Sequence, residues 1–241
     1  MAIQKNIFQT CASTSLLRPE IKDNIEKIKR LNPGWQYQLF DNEAMWAYFE
    51  THFDATVMGI LAKVNPAYKV VLADLFRYLV VYNHGGVYLD NKSTMERPLD
   101  DFIAPDDEMI ISQWRNKLAE EFMGAGLYPD LVRIPGGEFQ QWHVIAMQHH
   151  PLLLTVINQV ITNIQTYDRR WFGVGKEGVL RLSGPICYTQ CIAPGMFGHK
   201  IRVTDIQSHG FVYSLYKALG DKDFHSKEPG HYSTLKEPIV R

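Results

Sequence analysis

Asp74, Arg77, Asp90 and Lys92 fall within one short stretch, Asp74 to Lys92, at spacings that suit chemistry on hydroxyl and phosphate oxygens. Asp74 and Arg77 are i and i+3, which puts them on one helical face with Cβ atoms roughly 5–6 Å apart. A carboxylate accepts from vicinal hydroxyls, and a guanidinium offers a planar fork of donors to hydroxyl or phosphate oxygens. Gly85-Gly86 supplies the left-handed backbone that ends a helix. Val87-Tyr88-Leu89 is short, apolar and partly β-branched, as a buried strand should be. Asp90 follows at the strand's carboxyl end, where open α/β sheets bind ligands. Tyr88 and Asp90 are two apart and so face one side. Taken singly, these residues read as ordinary α/β punctuation. An exposed i,i+3 pair contributes only about a few tenths of a kcal/mol. The order and spacing of the whole string favour a site.

That string resembles the core of the DxD-type glycosyltransferases, above all the glycosyltransferase family 32 group, which includes relatives of the fungal initiating α-1,6-mannosyltransferase. The family pattern is D-x-x-R-Y, a spacer, then G-G-x-Y-x-D-x-D. Asp74, Arg77, Tyr78, Gly85, Gly86, Tyr88 and Asp90 match it, and Lys92 replaces the second Asp. The resemblance implies a GT-A fold and transfer of a sugar from a nucleotide sugar with retention of configuration. It also implies donor-sugar contacts from Asp74 and Arg77, a hydroxyl contact from Asp90, and manganese or magnesium at the second Asp. Tyr88 could line the site, whereas Tyr78 reads as core.

Lys92 departs from the pattern in a chemically pointed way. An ammonium has donors and no acceptor, so it cannot ligate a metal. A fixed cation can instead stabilise the charge that grows on a departing diphosphate. Three readings stay open. Lys92 replaces the metal; or it faces solvent while Asp100 or Asp101 supplies a ligand; or the chain is inactive and still binds a sugar nucleotide.

Other residues enter through the same resemblance. Phe8-Gln9-Thr10 ends the first strand, where family members hold the base; Phe8 reads equally as a stacking ring or a core residue. His225 and His231 are in the polar tail, where family members often close the site with a histidine. Ser183-Gly184-Pro185 echoes the family's Gly-Pro on the acceptor side and is also a good helix start. Glu138, Gln141 and Trp142 form a compact polar and aromatic stretch, suited to an acceptor or donor sugar or to an amphipathic surface helix. Gly173-Val174-Gly175-Lys176 lacks the phosphate-loop pattern, since no Ser or Thr follows the lysine, and reads as a mobile loop.

Composition narrows the class. The chain has 241 residues, 46% hydrophobic and 21% charged, with a formal net charge of -1. That suits one globular domain over 1–241 and gives no basic surplus for nucleic acid. Three cysteines, Cys11, Cys187 and Cys191, make no even framework and no C-x-x-C, so free thiols are expected and a zinc site is not. There is no charged-then-apolar leader and no apolar run of about 18 residues. The expectation is a cytoplasmic enzyme with no transmembrane segment.

The elements that must position these residues are legible in outline. Strands are expected at Ile3–Thr10, Trp35–Phe40, Val87–Leu89 and Met109–Ser112. Helices are expected from Pro19, from Asp41 or Asn42, over Ala55–Val64, from Asn65-Pro66 to Asn83, over Glu138–Gln148, over Pro151–Tyr167, and from Ser183-Gly184-Pro185. That order is α/β, with a central mostly parallel sheet flanked by helices. The reading is a hexosyltransferase using a UDP- or GDP-linked sugar and a glycan or other hydroxyl acceptor. The alternative is a non-catalytic protein that binds nucleotide sugar or glycan. Donor, acceptor and linkage would depend on the loops 113–137 and 168–182.

Overall fold

The computed structural model describes residues 2–218 and 231–241. Alternating strands and helices run β1 Asn6–Thr10, α1 Pro19–Leu31, β2 Gln36–Phe40, α2 Asn42–His52, α3 Ala55–Leu61, α4 Lys69–His84 and β3 Gly86–Leu89. The chain continues through β4 Thr94–Met95, β5 Met109–Ile111, β6 His143–Ala146, α5 Pro151–Gln165 and α6 Arg169–Phe172. It closes with α7 Gly175–Leu182, α8 Pro185–Ile192, β7 Ile201–Val203, β8 Phe211–Val212 and α9 Leu215–Ala218. The central sheet has the order β2-β1-β3-β6-β5-β7. β2, β1 and β3 are parallel, β6 runs against both of its neighbours, and β7 is parallel to β5. Five of the six strands therefore share one direction. β4 and β8 pair separately.

Strand alternation sorts the core into two layers. Phe8 lies opposite Tyr88, and Tyr88 opposite Val144. These three pack with Leu75 and Phe76 of α4. Ile7, Val87 and Ile145 point the other way, onto Ile28 of α1 and Trp35. Both faces of the sheet are covered, so the central strands read as continuous apolar runs. Thr10 and Asp90 continue the Phe8 and Tyr88 series by two residues, which brings them to the α4 side at the sheet's carboxyl edge.

α4 is the helix that positions the site. Asn65 Oδ1 accepts from the Ala67 backbone N–H at 3.1 Å and starts the turn that leads into it. Leu75, Phe76, Val80 and Val81 are fully buried, each stabilising the fold by about 1.5–3 kcal/mol. The helix stops at Gly85, with φ +64°. Gly86 has φ +116°, and a Cβ there would lie 2.4 Å from the Asn6 carbonyl oxygen. Only glycine lets α4 pass so abruptly into a strand pressed against β1.

Two expected elements differ. Residues 138–148 do not form a helix; they lead into and through β6. Val144, Ile145 and Ala146 are fully buried, filling the slot between β3 and β5. A short apolar run is compatible with either element, and burial on both faces selects the strand. The glycine-spaced segment 173–178 is no open loop either. Gly175 and Gly178 lie in α7, and a Cβ on Gly178 would come 2.6 Å from Ile239 Cδ1 and 2.8 Å from the Gly173 carbonyl. Glycine there permits close packing.

Candidate active site

A cavity of about 690 Å³ opens at the carboxyl ends of β1 and β3. Thr10, Asp74, Arg77, Tyr88, Asp90 and Lys92 all line it. The Asp74–Arg77 pair is not a surface pair. Asp74 is 1% exposed and Arg77 6%. Arg77 Nη2 lies 3.2 Å from Asp74 Oδ1, and Nη1 lies 3.2 Å from Asp90 Oδ1. Nη1 also donates to the Gln141 carbonyl at 2.7 Å, and the guanidinium stands 4.9 Å from the Tyr88 ring centre. Burial opposes the charge on Arg77, but Tyr88, Asp90 and Asp74 together hold the guanidinium above its ordinary value. Asp74 is gripped on both oxygens: Ser183 Oγ donates to Oδ2 at 2.8 Å, and Gln141 Nε2 to Oδ1 at 3.2 Å. Burial pushes the Asp74 carboxyl up, while Arg77 and Ser183 pull it back.

Asp90 is fixed through its backbone. Its N–H donates to the Trp142 carbonyl at 2.8 Å, and its carbonyl accepts from Gln9 Nε2 at 3.1 Å. Its side chain, 21% exposed, stays open to the cavity. Tyr88 lies within the wall and receives or donates a hydrogen bond at Thr10 Oγ1, 2.9 Å away. Lys92 is half-buried. Its Nζ donates to Tyr213 Oη at 3.1 Å and sits 4.6 Å above that ring's centre. Burial disfavours the ammonium, but Tyr213 and Asp90 raise its pKa above the ordinary value, so it is charged at neutral pH.

Glu138, Gln141, Trp142 and Gly184 also line the cavity. Glu138 and Trp142 are buried, not on an amphipathic surface. Gln141 accepts from Tyr78 Oη and is spent on holding Asp74 and Arg77. Tyr78 is fully buried, and its hydroxyl oxygen also lies 2.9 Å from the Ser183 carbonyl oxygen. His231 borders the cavity and caps the turn Tyr232–Thr234; His225 lies outside the described residues. Phe8 has no exposed ring face. It is fully buried between Phe40 and His84, which rules out stacking on a base. Gln9 is buried too, bonded to Asp90 and to Tyr37 Oη. Asp100 is absent from the cavity wall; it accepts from Lys5 and from the Trp35 indole N–H. Asp101 is likewise absent.

Sequence reasoning passed over Ser183 as a partner of Asp74. It also missed Trp114, Tyr128, Tyr213 and Tyr232, which form an aromatic rim. The only available signal was the 12% aromatic content.

Among the described residues, the donor set does not suit the divalent metal that the DxD motif implies. Among the described residues there is no group of three or more His, Cys, Asp or Glu that could hold an ion. Asp90 is already paired with Arg77, and an ammonium occupies the second position.

Residues 19–113 match the family described as "Glycosyltransferase sugar-binding region containing DXD motif". That segment resembles the DXD-type glycosyltransferases. It is 25% identical over 179 residues to the initiation-specific alpha-1,6-mannosyltransferase of Schizosaccharomyces pombe, covering 68% of this chain and 42% of that protein. It is 28% identical over 135 residues to the protein of the same description from Candida albicans, covering 52% and 34%. The chain thus spans less than half the length of those relatives. A solved structure titled PaToxG Glycosyltransferase superposes with a TM-score of 0.55 at 17% identity, covering 82% of this chain and 71% of that one. The shared architecture is the α/β GT-A-like fold. No helix among the described residues is long and apolar enough to cross a membrane.

Proposed function

We propose that the chain transfers a hexose from a nucleoside diphosphate sugar to a hydroxyl of a glycan or polysaccharide precursor. Mannose carried on GDP is the first donor to test, given what the fungal relatives are named for. The observation that carries this reading is Asp90. It stands at the carboxyl end of β3, is gripped by Arg77, and opens with Lys92 onto a cavity large enough for a sugar nucleotide. Asp74 and Arg77 form the buried floor, and Asp90 presents a carboxylate oxygen to sugar or ribose hydroxyls.

Lys92 faces the position where the diphosphate departs. A fixed ammonium there stabilises negative charge as it develops, and the transfer then proceeds without a divalent ion. Tyr213 holds that ammonium in place through its hydroxyl and ring face. Transfer occurs with retention by front-face displacement, the incoming hydroxyl and the leaving diphosphate sharing one side of the sugar.

The test is release of free nucleoside diphosphate from GDP-mannose and UDP-glucose, with and without a sugar acceptor, in the presence of EDTA or manganese. A transferase releases GDP or UDP with turnover. A protein that only binds nucleotide sugar gains melting temperature with donor by mass action and releases none.

A further inference from the structure

Among the described residues, three carboxylates line the cavity: Asp74, Asp90 and Glu138. The first two are committed to Arg77. Glu138 is different. It is 5% exposed, and no ion pair is seen for it among the described residues. Its Oε1 accepts from the Trp114 indole N–H, while its buried Oε2 has no hydrogen-bond partner. A buried acceptor left unpaired is costly, and native structures seldom tolerate one without a use for it. The Trp142 indole N–H, in the same wall, is also buried without a partner. The two residues that carry this acceptor and this donor line one cavity and stand four apart in the chain.

The surroundings are built to place Glu138 there. Gly126 has φ +73°, and a Cβ on it would lie 2.6 Å from Glu138 Cγ and 2.8 Å from Trp114 Cδ1. Glycine leaves the room that the carboxyl and the indole occupy. The Glu138 backbone N–H donates to the Gly126 carbonyl at 2.9 Å, which fixes the approach.

We infer that Glu138 is the proton acceptor for the attacking hydroxyl of the acceptor sugar. This rests on the transferase reading above. The hydroxyl gives its proton to Glu138 Oε2 while its oxygen bonds to the anomeric carbon. The bond from that carbon to the diphosphate oxygen breaks, and its electron pair leaves with the nucleoside diphosphate. Trp142 Nε1–H donates to the acceptor sugar and orients it. A base must be basic to do this. Asp74 and Asp90 are already paired with Arg77; Glu138 is not, and burial lifts it to about 7 against weaker downward pulls from the Trp114 bond and Lys176. The ionisable groups that act with it are Lys176, from α7, and Tyr128, from the segment beside Gly126.

The test uses the full chain and whichever of GDP-mannose or UDP-glucose it turns over, with methyl α-mannoside as acceptor. Glu138→Gln keeps the shape and the bond from Trp114. It should lower transfer kcat about 100-fold or more while leaving the donor KM within about twofold. The wild-type rate should rise with pH through about 7, and that limb should vanish in Glu138→Gln. Glu138→Asp, which retains a carboxyl, should keep the limb with a reduced rate. Wild-type kcat and an unchanged pH profile in Glu138→Gln overturn the assignment and leave the transferase reading intact. No turnover of either donor by the wild-type chain overturns both.

Discussion

Arg77 Nη1 lies 3.2 Å from Asp90 Oδ1, so the interior of α4 is tied directly to the residue that follows β3. The same guanidinium holds Asp74 on its own helix and the Gln141 carbonyl ahead of β6. One buried cation thus joins three segments of the sheet's carboxyl edge. Asp74 and Asp90 against Arg77 and Lys92 leave the floor of the cavity balanced in formal charge. Among the described residues, a diphosphate entering it meets Lys92 and Lys176 as cations not placed between two carboxylates.

Arg77→Lys should therefore damage both fold and function. Lysine keeps the charge but cannot reach Asp74, Asp90 and the Gln141 carbonyl at once. The expected loss is about 1–3 kcal/mol of stability, since a buried partner is left partly unpaired, with at least a tenfold fall in turnover. Urea denaturation and nucleotide-release rates check the two parts. A variant with normal turnover would mean that Arg77 serves architecture alone.

Asp90→Asn should separate charge from shape. The backbone bonds to Trp142 and Gln9 remain, so the position of residue 90 is kept. The amide removes the charge that Arg77 balances and one acceptor oxygen from the cavity. We predict a fall of about 100-fold or more in nucleotide release, a loss of about 2.7 kcal/mol in transition-state stabilisation, with a cooperative melt still present. Turnover within a few-fold of wild type would displace Asp90 from the centre of the site.

The half of this site that lies between Asp74 and Lys92 is legible because it is local. A helix, two glycines and a strand place Asp74, Arg77, Tyr88 and Asp90 together by period alone. The other half arrives from far along the chain. Ser183 meets Asp74 across 109 residues, and Lys92 meets Tyr213 across 121. No periodicity encodes such contacts. Glu138–Gln148 failed as a helix because His143 to Ala146 is short and apolar, and only the slot between β3 and β5 decides its form. Phe8 could not be assigned from its strand-end position either; His84 and Phe40 enclose it.

Lys92 should behave as the cation for the leaving group. Activity is expected to persist in EDTA. Lys92→Ala should lower kcat more than it weakens donor binding, because the charge it meets grows in the transition state. Lys92→Asp supplies the second Asp of the DXD pattern and should yield manganese-dependent turnover. Loss of wild-type activity in EDTA, regained with manganese, would show that other residues bind a metal and would end the substitution idea.

Glu138 allows a prediction in stability that needs no substrate. Its folded value, about 7, lies above the ordinary 4.5 because burial penalises the charged form. A group that holds its proton more tightly when folded makes the folded state bind more protons than the unfolded one. Stability from this group is then full below about 4.5 and falls as pH rises through about 7. Glu138→Gln cannot ionise and escapes that loss. At pH 8 it should be more stable than wild type by about 3 kcal/mol. At pH 4.5 the gap should nearly close. Urea denaturation at the two pH values measures it. An equal gap at both would mean that Glu138 keeps an ordinary carboxyl pKa, and the proton-acceptor assignment would lose its chemical basis along with it.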